Sequence, residues 1–298
     1  MQQNTLAFST PAAAPAWQRW LLFSPLARIA IFVAWFVGFM VVAQFGFLAL
    51  GWGKGAPILQ RDLAQFVARA LVPLAAYLIL VKAIERRPLG ELAPRSLVPQ
   101  GLLGVLIGLA LFSAVVAVLW LAGSYEATGT DPGAPWLGAL LVVGLGAGIG
   151  EEIMFRGVLF RIVEEGLGTW WALAISALLF GALHIANPGA TLWSSAAIAI
   201  EAGLLFGLLY HVTRSLAICM GVHAAWNFAQ GTIYGIPVSG ARADGWLVST
   251  RSGPDWLSGG VFGAEASVVA LGLCTLCSLG LLVVALRRGS IVPPRWRR

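Results

Sequence analysis

Glu151 and Glu152, with Arg156 four residues on, stand in "GEEIMFRGVLF" (Gly150–Phe160), in one of the most apolar parts of the chain. The stretch from Pro132 to Gly150 carries no charge, and from Gly166 to Ile200 the only ionisable side chain is His184. Glu201 in "AIAIEAGLLFGLLY" and His223 with Asn227 in "CMGVHAAWNF" complete the set. Carboxylates and imidazoles can take and return protons, and imidazole and amide N–H groups can donate to developing negative charge, so this is acid–base equipment. On a helix Glu152 and Arg156 share a face and can pair, whereas Glu151 is rotated by about 100° and has no basic residue at i+3 or i+4. Glu152 is therefore expected to be structural and Glu151 free for chemistry. The same carboxylates also fit a charged helix end, since Arg161, Glu164 and Glu165 follow. A single intramembrane histidine is commonly a hydrogen-bonded packing residue. Two on different segments, plus His223 and Asn227 on one helical face, shift the balance toward a site.

The elements that must hold these residues follow from composition. A chain of 298 residues that is 59% hydrophobic and 11% charged cannot both bury its apolar side chains and present a polar surface. With a mean hydropathy of +0.84 it is expected to be a membrane protein. Spanning the bilayer takes about 20 apolar residues, which yields about eight candidate helices near 26–50, 65–82, 101–123, 136–160, 169–187, 191–212, 215–233 and 264–286. None shows sustained period-two alternation, so the expected class is an all-α, polytopic helical membrane protein and not a barrel. The whole chain, 1–298, reads as one membrane domain. Residues 1–16 read as a mobile tail with no cleavage signature, so the first span is expected to stay as an anchor. The stretches 126–135 and 239–263 read as outer loops, the second long enough to cover an entrance, and 135–230 holds the motifs. Cys274 and Cys277 have CxxC spacing but lie in a span without a His or Lys beside them, so they read as small apolar residues.

Charge sets the orientation. With the N-terminus inside, all 19 Lys and Arg except Lys54, Arg61, Arg69, Arg242 and Arg251 fall on the cytoplasmic side, which predicts both termini inside a cell membrane. The net charge of +6 is then a topology signal, and no continuous basic face exists for nucleic acid. Counted along the helices, Glu151, His184 and His223 each lie roughly 12 to 24 Å deep, so they can meet at one level. Each intramembrane charge costs about 2.5–3.5 kcal/mol and needs a partner or a watery cavity. Glu201 lacks any basic residue within a turn, so it is expected to face the bundle interior, either as a support that orients a histidine ring or as a protonated carboxyl bonded to a backbone carbonyl.

Glu151-Glu152-x-x-x-Arg156, Phe180-x-x-x-His184 and His223-x-x-x-Asn227, in that order on successive spans, resemble the three motifs of the CPBP intramembrane metalloprotease family, also called the CAAX protease and bacteriocin-processing or Abi family. The resemblance covers roughly residues 135 to 230. It implies an intramembrane endopeptidase acting on a membrane-associated peptide or protein. Glu151 and His184 would hold and deprotonate the attacking water, His223 and Asn227 would donate to the oxyanion, and Arg156 would hold Glu152. The family name implies a metal, and Glu151, His184 and His223 would be its ligands, with zinc the candidate. Members have also been read as metal-free glutamate proteases, and asparagine is a poor zinc ligand but a good oxyanion donor, so the expectation here is no cofactor. Two other classes remain compatible with buried charges: a proton-coupled transporter, though no hydropathy repeat is visible, and a non-catalytic immunity or scaffold protein that needs only packing.

Overall fold

The computed structural model describes residues 8–297. After a short helix at Ala16–Leu21, the described residues form eight long helical segments: α1 (Pro25–Ala49), α2 (Ile58–Ile84), α3 (Pro94–Leu121), α4 (Trp136–Leu167), α5 (Thr169–His184), α6 (Leu192–Thr213), α7 (216–233) and α8 (Val268–Arg287). Local chemistry sets several starts. Ser24, Ser215 and Ser267 each accept a backbone N–H in the first turn of α1, α7 and α8, and Thr191 does so for α6. Gly168, at φ +85°, makes the turn between α4 and α5.

The protein is an all-α polytopic membrane protein. Six segments, α1, α2, α3, α4, α6 and α8, are long and apolar enough to cross a membrane. At 16 residues α5 is apolar but spans only about 24 Å, short of a hydrocarbon layer of about 30 Å. His223, Asn227, Gln230 and Thr232 dilute the hydropathy of α7. The expected set of about eight spans thus coincides with eight helical segments, six of which stand by length and composition. Large apolar side chains such as Phe45, Leu102, Leu106 and Leu276 point outward, as contact with lipid requires.

Small residues let the helices approach at backbone distance, the main source of packing where no hydrophobic effect acts between helices. A Cβ at Gly104 would lie 2.3 Å from the Ile218 carbonyl, and one at Gly108 would lie 2.4 Å from that of Val222. α3 and α7 are therefore in direct backbone contact. The glycine run before Glu151 thins α4 on two sides. Gly148 lies against α7, where a Cβ would be 2.8 Å from the Ala224 nitrogen, and Gly150 lies against α2, where it would be 1.9 Å from the Arg69 carbonyl oxygen.

One end of the bundle is closed by a buried ion network. Arg28 bonds Glu85 and Glu165, each at 2.8 Å, and Arg161 bonds the same two carboxylates at 2.9 and 3.0 Å. Arg87 bridges Glu85 and Glu91, which also accepts from the Tyr77 hydroxyl. His211 also lies at this end of the bundle, buried with the charged groups. Its ring meets Glu164 at 2.6 Å and Ser290 at 3.0 Å. Residues 1–7 of the expected mobile tail lie outside the described residues, and the described part differs from that expectation: Phe8 is buried, donates its N–H to Glu165 at 3.0 Å and lies under Arg28.

The two stretches read as loops at the opposite end pair with each other. β1 (Tyr125–Thr130) and β2 (Leu247–Arg251) form a two-stranded antiparallel ribbon with a bulge at Ala127/Gly129. Its residues have no 3.6 periodicity, and only the fold brings the two segments together.

Candidate active site

The first motif sits where α4 changes pitch. Wide, π-helical turns at Ala139–Gly146 and Ile153–Phe160 flank the ordinary turns Ala147–Glu152. A third such turn, Ala199–Leu204, carries Glu201 in α6. A wide turn leaves backbone carbonyls poorly satisfied by the helix itself, and such turns recur at functional sites. Here the carbonyls of Ala202 and Gly203 accept from Arg156 Nη2 at 2.8 and 3.3 Å.

Arg156 is completely buried and spends its other terminal nitrogen on Glu152 Oε1 at 2.9 Å, the pairing expected from the i,i+4 spacing. Its guanidinium stacks over Phe180 and Phe206 at 4.9 and 5.1 Å. Sequence reasoning missed the second partner of Glu152. His223 Nδ1 lies 2.8 Å from the same Oε1, and a carboxylate oxygen can only accept, so the ring donates from Nδ1 and turns Nε2 toward the cavity. Phe206 stacks on that ring at 5.3 Å, with 13° between the planes. Glu151, whose side chain is 29% exposed, lies with Oε2 3.9 Å from His223 Nε2.

His184 ends α5. Its Nδ1 donates to the Phe180 carbonyl at 2.7 Å, which leaves Nε2 with a free lone pair. Phe180 lies against both imidazoles, 4.7 Å from His184 and 6.4 Å from His223. Asn227 Nδ2 donates to Val143 at 3.0 Å, which fixes the amide and leaves its second N–H available.

These side chains share one cavity of about 710 Å³. Glu151, His184, Glu201, His223 and Asn227 all line it, while Glu152 and Arg156 stand behind the wall. Glu201 faces the interior as expected, but it does not orient a histidine: both Nδ1 atoms have other partners, and Glu201 Oε2 is buried without a hydrogen bond. The ring-orienting role expected of Glu201 belongs to Glu152 and to the Phe180 carbonyl.

Two further charged residues line the cavity, and sequence reasoning did not assign them to it. Arg69, sorted by charge to the outer side, comes from α2. Glu265 sits in a short turn, Ala264–Ala266, just before α8. It accepts the Ser239 N–H at 2.6 Å and the Ser239 hydroxyl at 3.1 Å, holding Ser239 at φ +47°. Burial raises the Glu265 carboxyl above its ordinary value, against the pull of the Ser239 N–H and of His184. The one sequence signal for it was a lone carboxylate abutting an apolar span.

Among the described residues no three His, Cys, Asp or Glu side chains gather closely enough to hold a metal ion. Glu151 and His223 approach each other, but the expected ligand set of Glu151, His184 and His223 is not gathered closely enough to hold zinc in this arrangement.

The fold and this cavity define a class: a polytopic helical membrane protein with carboxylates and imidazoles facing a shared space inside its bundle. Residues 133–229 match the family model described as type II CAAX prenyl endopeptidase Rce1-like, within the CPBP grouping that the three motifs resemble. That match supports a CAAX intramembrane endopeptidase kind of function. No curated protein matches the chain.

Proposed function

We propose that this protein is an intramembrane endopeptidase in which Glu151 activates the attacking water. The observation that carries the reading is the approach of Glu151 Oε2 to His223 Nε2, 3.9 Å, at the wall of the shared cavity, with both residues in the segment that matches a protease family. A peptide bond in a bilayer needs a polar pocket, a base and oxyanion donors, and these groups can supply all three. Glu151 takes a proton from water as the oxygen attacks the carbonyl carbon. His184 Nε2, freed by the bond from Nδ1 to Phe180, accepts from the same water and holds it. The second N–H of Asn227, and His223 Nε2 when it carries a proton, donate to the oxyanion. Collapse breaks the C–N bond, and Glu151 returns its proton to the leaving amine. Glu152 and Arg156 keep the His223 ring in place.

The substrate is a membrane-associated peptide or protein. The protein lies in the cell membrane with both termini in the cytoplasm, a reading supported by Arg28, Arg87, Arg161 and Arg214 gathering in ion pairs at one end of the bundle. The test is cleavage of a peptide library by full-length protein in vesicles, with and without a chelator, beside the Glu151→Gln variant. Cleavage by wild type that survives chelation and vanishes in the variant is expected. Equal cleavage by both proteins would overturn the assignment of the base, and loss on chelation restored by zinc would overturn the metal-free mechanism.

A further inference from the structure

The buried carboxyls of this chain fall into two groups. Among the described residues, Glu85, Glu91, Glu152, Glu164 and Glu165 each meet an arginine. Glu201 and Glu265 are equally buried, yet no basic side chain reaches either at ion-pair distance. Neither oxygen of Glu201 makes a hydrogen bond, and Glu265 is held by the uncharged Ser239. Both line the central cavity. Arg69 and His184 line it too, but neither comes close enough to pair with these two carboxyls.

Helix packing holds the pair in place. Glu201 lies about 14 Å along α6 from Leu192, near mid-bilayer depth. A Cβ at Gly203 would lie 2.7 Å from the Ala177 Cα, and one at Gly181 would lie 2.4 Å from the Ser195 carbonyl oxygen, so α5 and α6 touch on both sides of Glu201. The turn that carries Glu265 is pinned to the same helix. Trp193 Nε1 donates to the Ala266 carbonyl at 2.7 Å, and Ala266 packs in one apolar cluster with Ile198 and Phe180. Each carboxyl lies within electrostatic reach of the other. Two like charges fixed together at this depth are costly until a cation joins them.

We propose that Glu201 and Glu265 receive the basic side chain of a peptide substrate, a lysine or arginine at one fixed position from the cut bond, a proposal that rests on the peptidase reading above. Ionisable groups within a membrane pair with one another and mark substrate pathways. The cavity walls include Phe180, Leu183, Ile198, Leu205 and Phe206, which suit the methylene stem of such a residue while the carboxyls take its charged head. A hard metal ion fits poorly, since it takes six or more oxygen ligands and two carboxyls among apolar neighbours do not supply them. A peptide's N-terminal ammonium carries the same charge but lacks the stem. The enzyme would then select peptides with a basic residue inside an otherwise apolar stretch.

The experiment uses full-length protein in phosphatidylcholine vesicles, which carry no net charge to attract basic peptides. Its probes are fluorogenic apolar peptides with lysine, or its uncharged isostere norleucine, at each position in turn and with the N-terminus free or acetylated. Wild type is expected to favour lysine at one position by about 10- to 100-fold in kcat/KM, the range for one charge-assisted hydrogen-bonded pair. Glu201→Gln should bring the ratio close to one and Glu201→Asp should keep part of it, whereas a merely structural loss would lower both peptides alike. Glu265→Gln, which can still accept the Ser239 N–H, should also lower the ratio, so the test stands if one Gln variant fails to fold. Binding is measured in parallel in the Glu151→Gln background. Absence of cleavage would count against the peptidase reading, while a lysine preference in binding still reports on Glu201 and Glu265. Equal affinity for the lysine and norleucine peptides at every position overturns the proposal. So does a lysine preference that survives both Gln variants, or one that disappears when the N-terminus is acetylated.

Discussion

His223 Nδ1 lies 2.8 Å from Glu152 Oε1, the same oxygen that Arg156 holds at 2.9 Å. One buried carboxylate oxygen therefore anchors both the arginine of the first motif and the histidine of the third. That relationship separates the roles of two adjacent glutamates. Glu151→Gln is expected to abolish cleavage with little change in thermal stability. Glu152→Gln leaves Arg156 buried without its counter-charge, which should cost about 3–5 kcal/mol, and it also releases the His223 ring. Melting curves and turnover of the two variants check this. Wild-type turnover in Glu151→Gln would remove it as the base.

Close backbone packing predicts a steric sensitivity in the central helix pair. Gly108→Leu must push its side chain into the Val222 carbonyl, 2.4 Å from the position of the new Cβ. A loss of about 1–3 kcal/mol or more is expected from such overpacking. Gly272, with nothing within 4 Å of its Cβ position, is the control and should tolerate leucine. Equal stability of the two variants would show that α3 and α7 are not in contact.

Glu265 is expected to hold the turn at Val238–Ala241 over the cavity through its bonds to Ser239. Glu265→Ala should speed hydrogen exchange at Val238–Ala241 and lower kcat/KM by about tenfold, the loss expected for a charge-assisted bond. Unchanged exchange across that turn would refute the clamp.

Acid should loosen the ion network. Burial works to raise the Glu85 and Glu91 carboxyls, but Arg161, Arg87 and Arg28 around Glu85, and Arg87 with Tyr77 around Glu91, outweigh it and hold both below the ordinary value. A depressed carboxyl binds fewer protons folded than unfolded, so its contribution is complete above the unfolded value of about 4.3 and is lost as pH falls through the folded value. Melting temperature against pH should fall below that point, and less steeply in the Glu85→Gln, Glu91→Gln double variant. An identical slope would exclude the two glutamates as the cause.

The charge asymmetry predicts that reporters of cytoplasmic exposure are active when fused after Arg87, Glu165 and Arg298 and silent after Asp131 and Asp244. Opposite signals at the two termini would require an odd number of crossings and would overturn the orientation.

Hydropathy alone made the helical membrane class legible, because a bilayer admits few ways to satisfy a backbone and apolar length records each crossing. Helical spacing also sufficed for the Glu152–Arg156 pair and the shared face of His223 and Asn227, since both are local. The contact between Glu152 and His223, 71 residues apart, depends on how α4 and α7 pack, and no periodicity encodes it. Glu265, the pairing of Tyr125–Thr130 with Leu247–Arg251, and His211's place in the ion network were likewise decided by tertiary structure. Arg69 was visible only as an outlier in a charge count. The glycines that let α2 and α4 touch place it on the wall of the same cavity as Glu151. Sequence records what each segment can bury, while which charges meet depends on the angles and depths at which separate helices pack.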